Sequence, residues 1–134
     1  MISQLSVFVE NRKGAILQIT RILAEKKINI MGSMTDSGSE YGTIRMVVSD
    51  PELGYEALRD AGFMVSMKDV IGIEIEDVPG SMCEFLTIID DMYINIDYTY
   101  LCFNRESSKP MIIIHTESGE EVEASLKYRG FLVH

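Results

Sequence analysis

Aliphatic residues recur at every second position near the start of the chain. Leu5, Val7 and Val9 interleave with Ser6, Phe8 and Glu10, the period of two that a strand with one buried face requires. After the turn Asn11-Arg12-Lys13-Gly14 the period changes. Ala15, Ile16, Ile19, Ile22 and Leu23 recur at helical spacing, which predicts a helix to about Lys27, with Lys26 and Lys27 suited to its negative end. Ile28 to Thr35 reads as a strand, Asp36 to Glu40 as a polar turn, and Thr43 to Ser49 as a third strand with Ile44, Met46 and Val48 on one face. Asp50-Pro51 opens a second helix, with Asp as cap and Pro at the first position. Its inner stripe is Leu53, Ala57, Leu58 and Ala61, Gly62 ends it, and Phe63, Val65 and Met67 form a fourth strand.

The same order then returns. Residues 5–30 align with 71–96 at an offset of 66: Leu5/Ile71, Val7/Ile73, Val9/Ile75, Gly14/Gly80, Ile22/Ile88 and Ile28-Asn29-Ile30/Ile94-Asn95-Ile96 all pair. Two extra residues in the 104–109 loop move the offset to 68, and Ile44/Ile112, Leu58/Leu126, Gly62/Gly130 and Phe63/Phe131 continue the match. In the second copy Met82, Phe85, Ile88, Ile89 and Met92 make the first helix stripe, 94–103 the second strand and 111–116 the third. A repeat at fixed spacing marks a duplicated structural unit. Each copy reads β-α-β-β-α-β, and right-handed crossovers turn that order into a four-stranded antiparallel sheet with both helices on one face. The expected fold is therefore α+β: two ferredoxin-like units, 1–68 and 69–134, packed side by side because 68–70 is too short for a flexible linker.

Charge separates the copies. Residues 1–68 hold 8 Lys/Arg and 8 Asp/Glu, whereas 69–134 hold 4 and 13, so the whole net charge of −9 lies in the second copy. An acidic chain repels phosphate backbones, which argues against nucleic acid as a partner. Tyr41 to Val48 faintly echoes the core motif of RNA-recognition modules of this topology, but the stacking aromatics and basic charge are missing. No apolar run is long enough to span a membrane, and the first residues lack the basic segment of a signal peptide. A cytoplasmic protein is expected, with Cys83 and Cys102 as buried, reduced thiols.

The chemistry concentrates in the turn between the first strand and helix of each copy. Asn11-x-x-Gly14 and Asp77-x-x-Gly80 place a short polar side chain three residues before a glycine at a helix start. Glycine lets a ligand approach bare backbone, and free N–H groups of a first helical turn favour a carboxylate. The side-chain oxygen of Asn11 or Asp77 can accept from an ammonium group, and Asn29 and Asn95 can add a second polar contact. Donors for a carboxylate beside acceptors for an amine match a free amino acid. The same pattern also suits plain helix capping. Neither His115 nor His134 has a Ser or Cys nucleophile in its sequence context. Arg12, the one candidate for the phosphate-cradling arginine of acylphosphatase, which shares this topology, is Val78 in the second copy. Catalysis, metal binding and a cofactor are not expected.

The runs Val9-Glu10-Asn11-Arg12-Lys13-Gly14-Ala15-Ile16 … Ile28-Asn29-Ile30 and Ile75-Glu76-Asp77-Val78-Pro79-Gly80-Ser81-Met82 … Ile94-Asn95-Ile96 resemble the ACT domain. The resemblance covers essentially the whole chain. It implies units that pair side by side, with an effector held between the first loop of one and the second strand of another. The implied positions are Asn11, Gly14 and Asn29 in one copy and Asp77, Gly80 and Asn95 in the other. Ala15, Ser81 and Met82 would supply backbone N–H groups, and Met31 and Asp97 would border the pocket. Lys13 stands where the family usually has the proline that the second copy keeps as Pro79; it would be free to meet a ligand carboxylate. The implied function is a non-catalytic sensor of a small amino acid, a homodimer regulating a separate enzyme or transporter in trans. The alternative is an assembly module with no small ligand, working through its edge strands.

Overall fold

The computed structural model describes all of residues 1–134. Its elements run β1 (Ile2–Glu10), α1 (Ala15–Glu25), β2 (Ile30–Ser37), β3 (Tyr41–Val48), α2 (Pro51–Asp60), β4 (Met64–Glu74), α3 (Ser81–Asp91), β5 (Tyr98–Phe103), β6 (Pro110–His115) and α4 (Gly119–Tyr128). Backbone proximity divides the chain into an N-terminal unit, Ser3–Lys68, and a C-terminal unit made of Asp69–His134 with Met1–Ile2. Both are α+β and ferredoxin-like.

In the N-terminal unit β3 pairs antiparallel with β1 on one side and β2 on the other, and β4 follows on the far side of β1. The alternation of β1 is realised as expected: Leu5, Val7 and Val9 are buried against Ile19 and Leu23 of α1 and Leu58 of α2. In the C-terminal unit β6 pairs antiparallel with β4 and β5. The fourth strand position is filled by the tail of the chain, where Val133 bridges Ile73 and the backbones of Gly72 and His134 exchange hydrogen bonds of 3.2 and 2.8 Å. Its core is Ile71, Ile73, Phe85, Ile89, Ile112, Ile114, Val122 and Leu126. All of these but Val122, whose counterpart is Gly54, match buried residues of the N-terminal core at the repeat offset.

All four helices end alike. The N–H of Ile28, Phe63, Ile94 and Phe131 returns to the carbonyl of Leu23, Leu58, Ile89 and Leu126, five residues back. That is the Schellman ending, which needs a left-handed residue just before the donor. Gly62 and Gly130 supply it after α2 and α4, but after α1 and α3 the residue is Lys27 at φ 58° and Tyr93 at φ 57°.

These endings correct the expected strand starts. Ile28 and Ile94 still belong to the helix exits, so β2 begins at Ile30 and β5 only at Tyr98. The fourth strand of the first copy and the first strand of the second are one strand, β4, and Lys68-Asp69-Val70 has no glycine or proline to break it. Ile16 and Leu53, expected on inner helix stripes, are exposed. At α2 the inward position belongs to Gly54. Asp50 does cap α2, its Oδ1 accepting from the Leu53 N–H at 3.1 Å. Cys102 is buried as expected, whereas Cys83 falls on the solvent side of α3. Burial pushes the Cys102 thiol pKa up to about 11.

Candidate functional site

The two loops are built to leave helix starts open. Gly14 and Gly80 are the N-caps of α1 and α3, at φ 85° and 91°, and no side chain caps either helix. Asn11 and Asp77 therefore do not serve as caps, so the capping explanation of the motif does not hold. Asn11 ties its loop to the β2–β3 turn instead. Its Nδ2 donates to the Gly38 carbonyl at 2.9 Å and its N–H to the Glu40 carbonyl at 2.8 Å. Its side-chain oxygen is left as an acceptor. Arg12 lies back along the loop, 3.6 Å from Glu10 and donating to Gln18 at 2.8 Å. Lys13, Asp77 and Pro79 are exposed, Ala15 is buried, and Ser81 and Met82 are half-buried.

The strand-entry residues lie elsewhere. Asn29 is exposed and held by its backbone: its N–H donates to Ser49 Oγ and its carbonyl accepts from the Ser49 N–H, both at 2.9 Å. Asn95 donates to Asp97 Oδ1 at 3.4 Å, and His115 Nδ1 lies 2.9 Å from Asp97 Oδ2. The Tyr98 ring stacks on His115 at 5.0 Å and 5°. Met31, in the place of Asp97, is half-buried. Within one unit the loop residues precede the first helix and the strand-entry residues follow it. An eleven-residue helix is about 16 Å long. The structure thus brings Asn11 to Gly14 and Ala15, and Asn95 to Asp97, but leaves the loop and strand-entry groups of each unit at opposite ends of a helix.

Beside each loop is a hollow that loop-centred reading of the sequence missed. In the N-terminal unit it has a volume of about 300 Å³ and is lined by Phe8, Glu10, Arg12, Ala15, Tyr41 and Phe63 among others. In the C-terminal unit it measures about 310 Å³, and Glu74, Glu76, Ser81, Lys109 and Phe131 stand at matching places. The linings differ in kind. Phe8 stacks on Tyr41 with centroids 5.2 Å apart and planes 17° from parallel. Where those rings would be, the C-terminal unit has Glu74 and Lys109. Lys109 Nζ donates to Glu76 Oε1 at 2.6 Å, and that hydrogen bond and the charge of Glu76 raise the lysine pKa. Glu74 accepts from Ser107 Oγ at 2.8 Å and from Asn104. Following the repeat offset through Phe8/Glu74 and Tyr41/Lys109 was the available signal.

Comparison with known proteins agrees with this geometry. The profile of a family described as an ACT domain pair matches residues 1–128. Among solved structures, protein BT0572 from Bacteroides thetaiotaomicron is similar at a TM-score of 0.89 and 29% identity, over 99% of this chain and 91% of that one. The ligand-free regulatory subunit of aspartate kinase from Thermus thermophilus is similar at 0.63 and 14%, over 94% and 90%. The corresponding subunit from Thermus flavus gives 0.61 and 15%, over 93% and 88%. At those identities the two kinase subunits share the fold. No curated protein matches the chain.

Proposed function

The chain belongs to the ACT domain pair family, and on that premise we propose that it is a non-catalytic regulatory sensor of a small amino acid. The ligand bridges the loop of one ACT unit to the strand entry of another and biases how the units pack. Regulation then acts in trans on a metabolic enzyme or transporter, from a cytoplasmic homodimer. The observation that carries this reading is the pair of uncapped helix starts behind Gly14 and Gly80. Their free N–H groups suit a carboxylate, and Asn11 and Asp77 offer acceptors beside them. Because loop and strand-entry groups of one unit are a helix length apart, a ligand touching both requires two units. Coupling between such a site and a partner is typically about 1–3 kcal/mol. No helix is long and apolar enough to cross a membrane.

The test is thermal-shift screening of the full chain against the twenty amino acids at millimolar concentration. A ligand at a hundred times its Kd stabilises by about 2.7 kcal/mol. Asn11→Ala or Asp77→Ala weakens binding without unfolding the chain. No response to any amino acid would sink the reading and favour the alternative, an assembly module with no small ligand. One observation supports that alternative: β5 ends the strand order, and its Leu101 and Phe103 are exposed.

A further inference from the structure

The loop and first helix of the two copies carry opposite charge. Residues 11–27 hold five Lys/Arg and one Asp/Glu, a net charge of +4. The matched residues 77–93 hold no Lys/Arg and four Asp/Glu, a net charge of −4. The exchange follows the repeat offset. Arg12, Lys13, Arg21, Lys26 and Lys27 become Val78, Pro79, Thr87, Met92 and Tyr93, while Asn11, Gln18 and Ala24 become Asp77, Glu84 and Asp90. Only Glu25 and Asp91 keep their sign. All of these charged residues are exposed. Arg12 lies against Glu10, and no other of them forms an ion pair within the chain.

Apolar surface adjoins the charge on both helices. The buried stripe of α1 is Ala15, Ile19 and Leu23. At 3.6 residues per turn, Leu17, Arg21 and Ala24 fall on the opposite face. Leu17 is 58% exposed and its neighbour Ile16 50%. The corresponding outward positions of α3 are Cys83, Thr87 and Asp90, with half-buried Met82 and Leu86 beside them.

We propose that these two faces dock on each other between two copies of the chain, α1 of one protomer against α3 of its partner. A two-fold axis makes the contact twice, because each protomer offers both faces. Unlike helices are selected over like ones. A contact between two copies of α1 would set +4 against +4, one between two copies of α3 would set −4 against −4, and like charges placed together oppose association. Single surface ion pairs contribute only about 0–1 kcal/mol, so the charges choose the partner. Affinity comes from taking Ile16 and Leu17 out of water against Met82 and Leu86. A basic protein would satisfy α3 and leave α1 unmatched, and an acidic one would do the opposite. A second copy of this chain satisfies both faces at once. The docking rests on the sensor reading in one respect: it names the N-terminal unit of one protomer and the C-terminal unit of the other as the units between which the ligand lies.

The experiment is size-exclusion chromatography with light scattering on the full chain and two variants. One carries Arg21→Glu, Lys26→Glu and Lys27→Glu, the other Glu84→Lys, Asp90→Lys and Asp91→Lys, which take the two segments to −2 and +2. The unmodified chain should be a dimer that weakens at least tenfold in 1 M sodium chloride, where the screening length falls to about 3 Å. Each variant alone sets like charge against like and should run as a monomer with unchanged far-UV circular dichroism. In the equimolar mixture both contacts match again, one with its signs exchanged and one as in the unmodified chain, so the dimer should return. That recovery also shows that both variants fold. Dimers that persist in either variant alone, monomers that persist in the mixture, or an unmodified chain that stays monomeric overturn the proposal. Return of the dimer in a chain that answers to no amino acid upholds the docking and sinks the sensor reading. An amino-acid response in variants that dimerise unchanged does the reverse.

Discussion

The hollows beside the two loops occupy the same place in two copies of one fold and share one polar wall residue, Glu10 in one and Glu76 in the other. Beyond it they part: one is walled by a stacked Phe8–Tyr41 pair, and the other has Glu74 and Lys109 in those places. Beneath them the buried positions coincide and stay apolar, with Gly54 against Val122 the exception in size. The contrast separates two kinds of constraint. Burying a polar group without a partner is costly, so the duplicated interior stayed apolar. The rims carry no such penalty and diverged in charge.

The comparison is broken most forcefully at the core. Leu58 and Leu126 are matched, fully buried positions. Leu58→Ala and Leu126→Ala should each cost about 2–5 kcal/mol, measured by urea denaturation. Losses differing by more than about 2 kcal/mol would show that the cores are not equivalent. Next come the loop glycines. A Cβ at Gly14 or Gly80 would meet nothing within 4 Å, yet both residues are left-handed. Gly14→Ala and Gly80→Ala should therefore each lose about 1–2 kcal/mol from backbone strain alone. A neutral result in either would mean that its loop relaxes to another conformation.

The helix exits give the opposite sign. Lys27 and Tyr93 occupy the left-handed position that Gly62 and Gly130 fill elsewhere. Lys27→Gly and Tyr93→Gly should each stabilise the chain by up to about 1 kcal/mol, seen as a rise in denaturation midpoint. A loss at Tyr93 would show that its ring contributes packing despite its exposure. The smallest effect is chemical. With a pKa near 11, Cys102 has roughly one thiolate per thousand molecules at pH 8. Iodoacetamide should modify Cys83 alone in the folded chain, read by mass spectrometry of the peptides. Equal labelling would show that the C-terminal sheet opens on that timescale.

Much of this was legible from periodicity. The alternation of Leu5, Val7 and Val9 and the helical spacing of Ile19, Ile22 and Leu23 placed the elements, because burial on one face writes a period into the chain. The Asp50-Pro51 start was legible because capping is local. Helix exits were not: Lys27 and Tyr93 give no glycine signal, so the strands appeared to begin too early. The loop motif was readable, since Asn11 and Gly14 are neighbours in sequence. The hollows were not, because Phe8, Tyr41 and Phe63 come from three separate segments.

The buried glycine of α2 has a consequence for how interchangeable the copies are. A Cβ on Gly54 would lie 3.0 Å from Leu5 Cδ1, and the second copy carries Val122 at that place. Grafting is therefore directional. The α4 sequence transplanted into the N-terminal unit would drive a branched side chain into Leu5, whereas α2 transplanted into the C-terminal unit would leave a void the size of a valine. Recombination between the halves of such a gene would be punished in both directions, by steric clash in one and by lost contact in the other. One glycine thus helps to keep two halves with a common origin from being averaged back together.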